Sequence, residues 1–244
     1  MIHKVIFTKD GKKFSIRDAT KDYHCQYGFY SAADLSKNGQ KIVSNKGKEA
    51  FVIDSCFIDS YEKITRGAQI IPLKDIGTII TKAGIGRDSR IVDAGAGSGA
   101  LCILLSRVAK EVTTYEIRED FFRLVKKSID DLGIKNLTIK NQDVTAGIDE
   151  KNIDVVTLDL PAPWEALAAA KSCLKPGGFL VSYSPTIPQV MDLVCALQKD
   201  EGFLYFETIE ILERQWEINE RKVRPKSQQI GHSGFLSFAR KVMD

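Results

Sequence analysis

The sequence has no apolar run close to the ~20 residues that a membrane-spanning helix requires, so a soluble, cytoplasmic protein with no membrane contact is expected. Its start, Met1 to Phe14, is polar and alternating, which excludes a secretory signal there. Cysteine is scarce. Five residues (Cys25, Cys56, Cys102, Cys173 and Cys195) are scattered, odd in number and without a CxxC pair, which excludes a closed disulfide framework and predicts free, mostly buried thiols in a reducing compartment. Three widely separated histidines offer no ligand spacing, so no metal is expected. Charge of one sign is also missing: 35 Lys and Arg stand against 32 Asp and Glu, a net +3. That balance permits a nucleic-acid partner without demanding one. Internal repeats and low-complexity stretches are absent.

What is present is two patterns in succession. Residues 1–63 read as a small antiparallel β domain, with Val5–Thr8 and Lys13–Ile16 around an Asp10-Gly11 tip, and Lys41–Ser44 and Glu49–Asp54 around Asn45-Lys46-Gly47-Lys48. Residues 64–244 alternate strand with helix. Helices are predicted over Lys74–Ala83, Gly99–Ala109, Glu119–Leu132, Trp164–Ser172 and Ile187–Gln198. Strands are predicted over Arg90–Ala94, Glu111–Glu116, Leu137–Asn141, Ile153–Leu158, Gly178–Tyr183, Phe203–Leu212 and Gly234–Arg240. The expectation is an α/β fold, a seven-stranded, mostly parallel sheet covered on both faces. Its last two strands lack a helical crossover and should pair antiparallel.

Between the first strand and its helix lies Asp93-Ala94-Gly95-Ala96-Gly97-Ser98-Gly99. Glycines there allow a tight turn and close approach to a ligand, and the helix start offers unpaired N–H groups. A dinucleotide fingerprint would be GxGxxG; here the third glycine falls one position early, and an acid precedes the loop. Asp93 suits a positively charged amino acid moiety better than a pyrophosphate, which points to S-adenosylmethionine. Glu116, at the end of the second strand, is placed for ribose hydroxyls, and Asp143, after the third, for an adenine amino group. Glu116 or Asp143 alone would read as a solvated loop acid; three acids at consecutive strand ends, beside one glycine loop, make a constellation.

The fourth strand ends in Asp159-Leu160-Pro161-Ala162-Pro163-Trp164, a turn stiffened by two prolines. Asp159 is the candidate catalytic residue. Trp164 by itself would read as a core residue, and in this setting it is a candidate pocket wall. The turn lacks the Asn-Pro-Pro-Tyr form tied to exocyclic amines, which favours a ring nitrogen as target. Arg214, Arg221, Lys222, Arg224 and Lys226 cluster in the stretch joining the last two strands, where phosphate contact is expected.

These motifs, with the segment Arg66–Asp75, Asn219–Pro225 and the tail Gly231–Lys241, resemble the tRNA (adenine-58-N1)-methyltransferases along nearly the whole chain. The resemblance implies a Rossmann-like class I methyltransferase that uses S-adenosylmethionine on N1 of adenosine 58, or also 57, in the tRNA T-loop, and that assembles as a homotetramer. The implied cofactor-binding set is Gln69, Leu73, Asp93, Gly95, Ala96, Gly97, Ser98, Gly99, Ala100, Glu116, Asp143, Val144 and Asp159. Trp164, Arg221, Arg224 and His232 are the implied substrate contacts, although His232 alone would read as an ordinary hydrogen-bonded histidine. Where the family has Gln-x-Ile-Tyr-Pro-Lys-Asp, with a tyrosine that lines its active site, this chain has Pro72-Leu73 in place of Tyr-Pro. Competing readings are a small-molecule or protein methyltransferase of the same fold, and a non-catalytic tRNA-binding subunit.

Overall fold

Short alternating segments separated by turn residues build the first of two compact units, Met1–Ile64, in the computed structural model. All residues except Arg66, Ala68, Gln69 and Asp244 are described. Strands β1 (Lys4–Thr8) and β2 (Lys13–Ile16) form the first hairpin. Next come the hairpin β3 (Tyr23–Cys25) and β4 (Gly28–Tyr30) and the short helix α1 (Ala32–Leu35). A second long hairpin, β5 (Gln40–Val43) and β6 (Glu49–Asp54), precedes helix α2 (Phe57–Tyr61). The main sheet runs β2-β1-β6-β5. Its inward residues Ile6, Ile16, Ile42, Ala50 and Val52 close over Tyr30 and Leu35 into one small core. The β3–β4 hairpin and both short helices carry too few residues for their periodicity to stand out in the sequence.

The second unit, Thr65–Asp244, holds the α/β sheet. Helix α3 (Leu73–Lys82) buries Asp75, Ile76 and Ile79. Strand β7 (Arg90–Ala94) leads to α4 (Ala100–Leu105), β8 (Glu111–Tyr115) to α5 (Glu119–Leu132), and β9 (Leu137–Lys140) to a 3-10 turn at Val144–Ala146. Strand β10 (Ile153–Leu158) is followed by a second 3-10 turn, Pro163–Ala166, and helix α6 (Leu167–Cys173). Then come β11 (Leu174–Ser184), α7 (Ile187–Lys199), β12 (Phe203–Glu210), the ribbon β13 (Trp216–Asn219) and β14 (Lys222–Pro225), and β15 (Phe235–Lys241). Strands β7 and β10 are buried along almost their entire length, as strands covered on both faces must be. Helix α5 shows how sequence sets an element's ends. Glu119 and Asp120 complement the dipole of its first turn, Phe121, Val125, Ser128 and Ile129 form its buried stripe, and Gly133 closes it at φ 64°.

The sheet order is β12-β15-β11-β10-β7-β8-β9, with β15 antiparallel to both β11 and β12. The class I methyltransferase order is thus realised, including the antiparallel edge. From β7 the chain winds outward through β8 and β9, then returns to β10 on the opposite side of β7. The order reverses between β7 and β10, and a crevice opens beyond their carboxyl ends.

Three details correct the expected elements. Helix α4 spans Ala100–Leu105 rather than reaching Ala109. Trp164 lies in a 3-10 turn ahead of α6, not within a helix. The basic stretch between the last two sheet strands is an antiparallel ribbon instead of an open loop. Only Cys102 and Cys173 of the five cysteines are buried. Among the described residues no helix is long and apolar enough to cross a membrane, and no group of three or more His, Cys, Asp or Glu is placed to hold a metal ion.

Candidate active site

At the switch point lies a cavity of about 670 Å³. It is lined by Gly95 and Gly97 from the loop after β7, Glu116 to Arg118 after β8, Gln142 to Thr145 after β9, and Asp159 to Ala162 after β10. Phe121, Glu165, Pro185 and Gln189 complete the wall with Tyr115. Four consecutive strand ends therefore converge on one space.

The loop is shaped by contacts as well as by its composition. Gly95 has φ 89°, and a Cβ there would lie 2.1 Å from the carbonyl oxygen of Asp159; only glycine lets the two strand ends approach so closely. Glu116 holds the loop from the other side, its Oε2 accepting from the Gly97 N–H at 2.9 Å and its Oε1 from the Arg118 N–H at 2.9 Å. An ionised carboxylate has about four acceptor directions, so hydroxyl donors can still be taken. Asp143 caps the turn after β9, with Oδ1 accepting from the N–H and hydroxyl of Thr145 at 2.8 and 2.7 Å. Those bonds hold its carboxyl below the ordinary carboxylate value.

Asp159 differs. Among the described residues its carboxyl makes no hydrogen bond within the protein. Burial first, then the negative charges of Asp93 and Glu116, push it up to about 7. Beneath it, Asp93 accepts from Thr114 Oγ1 at 2.7 Å and from Thr157 Oγ1 at 2.6 Å. It is buried, and burial raises its own proton affinity.

The expected site residues therefore separate into groups. Gly95, Gly97, Glu116, Asp143, Val144 and Asp159 share the cavity wall. Asp93 does not face it: the carboxylate expected to meet an amino group instead cross-ties β7 to β8 and β10 through two threonines. Ala96, Ser98, Gly99 and Ala100 belong to the loop and the start of α4 but not to the cavity lining, with Ser98 Oγ accepting from the Gly67 N–H at 3.0 Å and Gly99 capping α4. Leu73 sits 48% exposed on the first turn of α3, outside the lining. Gln69 lies outside the described residues. Trp164 is half-buried and packs against the core cluster, outside the cavity lining. His232 adjoins the rim residue Pro185: as imidazolium it donates from Nε2 to the Pro185 carbonyl at 2.9 Å and from Nδ1 to Glu210 at 2.6 Å. The adjoining carboxylate of Glu210 and the Pro185 carbonyl raise the imidazole above its ordinary value. Arg221 and Arg224 are on the ribbon, where Glu217 pairs with Lys222 at 2.7 Å and Arg224 at 3.1 Å.

Sequence reasoning missed Ile117, Arg118, Phe121, Pro185 and Gln189. Ile117 to Phe121 directly follow a recognised acid and were within reach of the motif. Pro185 and Gln189 enter through the loop after β11, which no local pattern marks.

The cavity wall carries four carboxylates, Glu116, Asp143, Asp159 and Glu165, and Arg118, which is paired to Asp120 at 2.7 Å. This donor set fits a ligand that is cationic at its centre and rich in hydroxyl and amino donors.

Comparison with known proteins follows the same direction. A family model for the tRNA methyltransferase complex GCD14 subunit matches residues 62–225. The tRNA (adenine(57)-N(1)/adenine(58)-N(1))-methyltransferase of Methanocaldococcus jannaschii is 33% identical, covering 98% of this chain and 94% of its own. The structure of the tRNA (m1A58) methyltransferase of Aquifex aeolicus matches with a TM-score of 0.83 at 27% identity, covering 99% of this chain and 97% of its own. A structure from Thermotoga maritima described as an S-adenosylmethionine-dependent O-methyltransferase matches with a TM-score of 0.91 at 29% identity, covering 100% and 94%.

Proposed function

The chain belongs to the tRNA methyltransferase family of the GCD14 subunit, and from that premise we propose that it methylates N1 of adenosine 58 in tRNA with S-adenosylmethionine as donor. The observation that carries the reading is the single cavity that joins the Gly95–Gly97 loop and Glu116 to Asp159. Glu116 would accept the ribose hydroxyls, Asp143 and Val144 would border the adenine, and the Gly95–Gly97 backbone would hold the methionine half. The bound donor supplies an electrophilic methyl group.

N1 of adenine would attack the methyl carbon with its in-plane lone pair as the methyl–sulfur bond breaks and S-adenosylhomocysteine leaves as a neutral thioether, so no proton has to leave before the bond forms. The protein's task is positioning and charge stabilisation. Asp159 accepts a hydrogen bond from the N6 amino group, which raises electron density at N1 and offsets the positive charge that grows on the ring. A base stacked within folded tRNA must leave its stack to reach the cavity. Arg221, Lys222 and Arg224 on the ribbon are the cations assigned to phosphate contact in this reading. Cytoplasmic location and a homotetrameric assembly go with this activity. An O-methyltransferase reading, prompted by the Thermotoga structure's description, would require a base to take a hydroxyl proton.

Incubation with unmodified tRNA and labelled S-adenosylmethionine, followed by nucleoside mapping by mass spectrometry, separates these readings. The expected product is 1-methyladenosine at position 58, and the same map reads position 57. A methyl group on a ribose oxygen or another base, or no transfer at all, overturns the proposal.

A further inference from the structure

Gln189, on the first turn of α7, closes the cavity wall near Asp159. Its Nε2 donates to the Pro161 carbonyl at 2.9 Å, and its Oε1 accepts from Thr186 Oγ1 at 2.7 Å. A carbonyl oxygen can only accept, so the Pro161 contact decides which end of the amide is nitrogen. The amide is thus held at both ends, with one of its two N–H donors engaged by Pro161. Pro161 follows Asp159 by two residues, so the same bond fastens the carboxylate-bearing turn to α7.

An adenine presents N6–H as donor and N7 as acceptor along one edge, the pattern that paired donor and acceptor side chains read. An ionised Asp159 can take the N6 proton but cannot donate to N7. The second N–H of Gln189 is a donor fixed on the same wall. Building on the proposed function above, we propose that Asp159 and Gln189 together read the N6/N7 edge of the target adenine, Gln189 donating to N7. Gripping that edge leaves the N1 lone pair unobstructed. Guanine is rejected because its O6 would face the Asp159 carboxylate, acceptor against acceptor. Pyrimidines have no N7 to take the bond.

The test uses two tRNAs, natural and with 7-deazaadenosine at the target position, in which a C–H replaces N7 while N1 remains. Wild-type protein should lose about tenfold in kcat/KM on the deaza tRNA, the worth of one hydrogen bond. Gln189→Ala and Gln189→Glu should each lose a similar factor on natural tRNA, and their natural-to-deaza ratio should fall to about one. Comparing ratios between proteins cancels any effect of the replacement on the tRNA itself. The wild-type measurement stands even if a variant folds poorly. Equal use of both tRNAs by wild type, or discrimination retained by Gln189→Ala, overturns the adenine-edge reading while leaving the methyltransferase assignment intact. Failure of wild type on natural tRNA overturns both.

Discussion

The role in chemistry proposed for Asp159 goes with a cost in stability, and both can be measured. In the unfolded chain its carboxyl titrates near 3.8, and in the folded protein near 7. Between those values the folded protein keeps a proton that the unfolded chain has released, so stability falls as pH rises from about 4 to 7, and the whole cost is present above 7. Asp159→Asn should therefore raise the melting temperature of the ligand-free protein at pH 8, by a gain on the order of 4 kcal/mol, and leave it unchanged near pH 3. The same variant should lose at least ~100-fold in kcat while S-adenosylmethionine affinity stays within a few-fold. Wild-type kcat should decline as pH drops below 7. A variant that melts lower than wild type at pH 8 would contradict the buried, unpaired carboxylate. Asp159 was legible in the sequence because strand, acid and two prolines adjoin. Asp93 was legible as important but not in its role, since a motif does not reveal which way a side chain turns. Thr114 and Thr157, which turn Asp93 inward, lie 21 and 64 residues away.

Elements that repeat a strong local pattern could be read directly. β7, β10 and α5 were expected with the bounds observed, because a buried strand is almost wholly apolar and α5 has acids at its start, an apolar stripe and a terminal glycine. The β13–β14 ribbon was hidden, because Asn219 to Lys222 forms a tip without glycine and uses Glu220 at φ 49° instead. Its pairing puts Glu217 opposite Arg224, where it neutralises the cations expected to meet phosphate. Glu217→Gln should free Lys222 and Arg224, tighten tRNA binding severalfold at low salt, and steepen the slope of log affinity against log salt by about one to two. An unchanged slope in a filter-binding titration would remove the ribbon from the RNA contact.

On the scale of the whole molecule, the two units differ in charge. Met1–Ile64 contains eleven Lys and Arg against eight Asp and Glu, so the entire net charge of +3 belongs to it, and the catalytic unit is balanced at 24 of each. The balanced unit also exposes apolar side chains where a monomer gains nothing from them: Trp216, Ile218 and Val223 are 52%, 74% and 59% exposed. Their register puts them on one face of the ribbon, with Glu217 and Arg224 on the other. A two-stranded ribbon is marginally stable alone, so this face supports the proposed homotetramer. Light scattering should give a particle of four 27.2 kDa chains, and Ile218→Glu should break it into smaller species. A monomeric wild type would refute the assembly.

The close passage of Gly95 over the Asp159 carbonyl bears on the reaction coordinate itself. One strand end carries the loop proposed to hold the donor and its neighbour the aspartate proposed to anchor the acceptor, and the two are spaced by a hydrogen atom where every other residue would place a carbon. Alanine at position 95 would act as a shim, widening the interval between the two reactants even if both still bound.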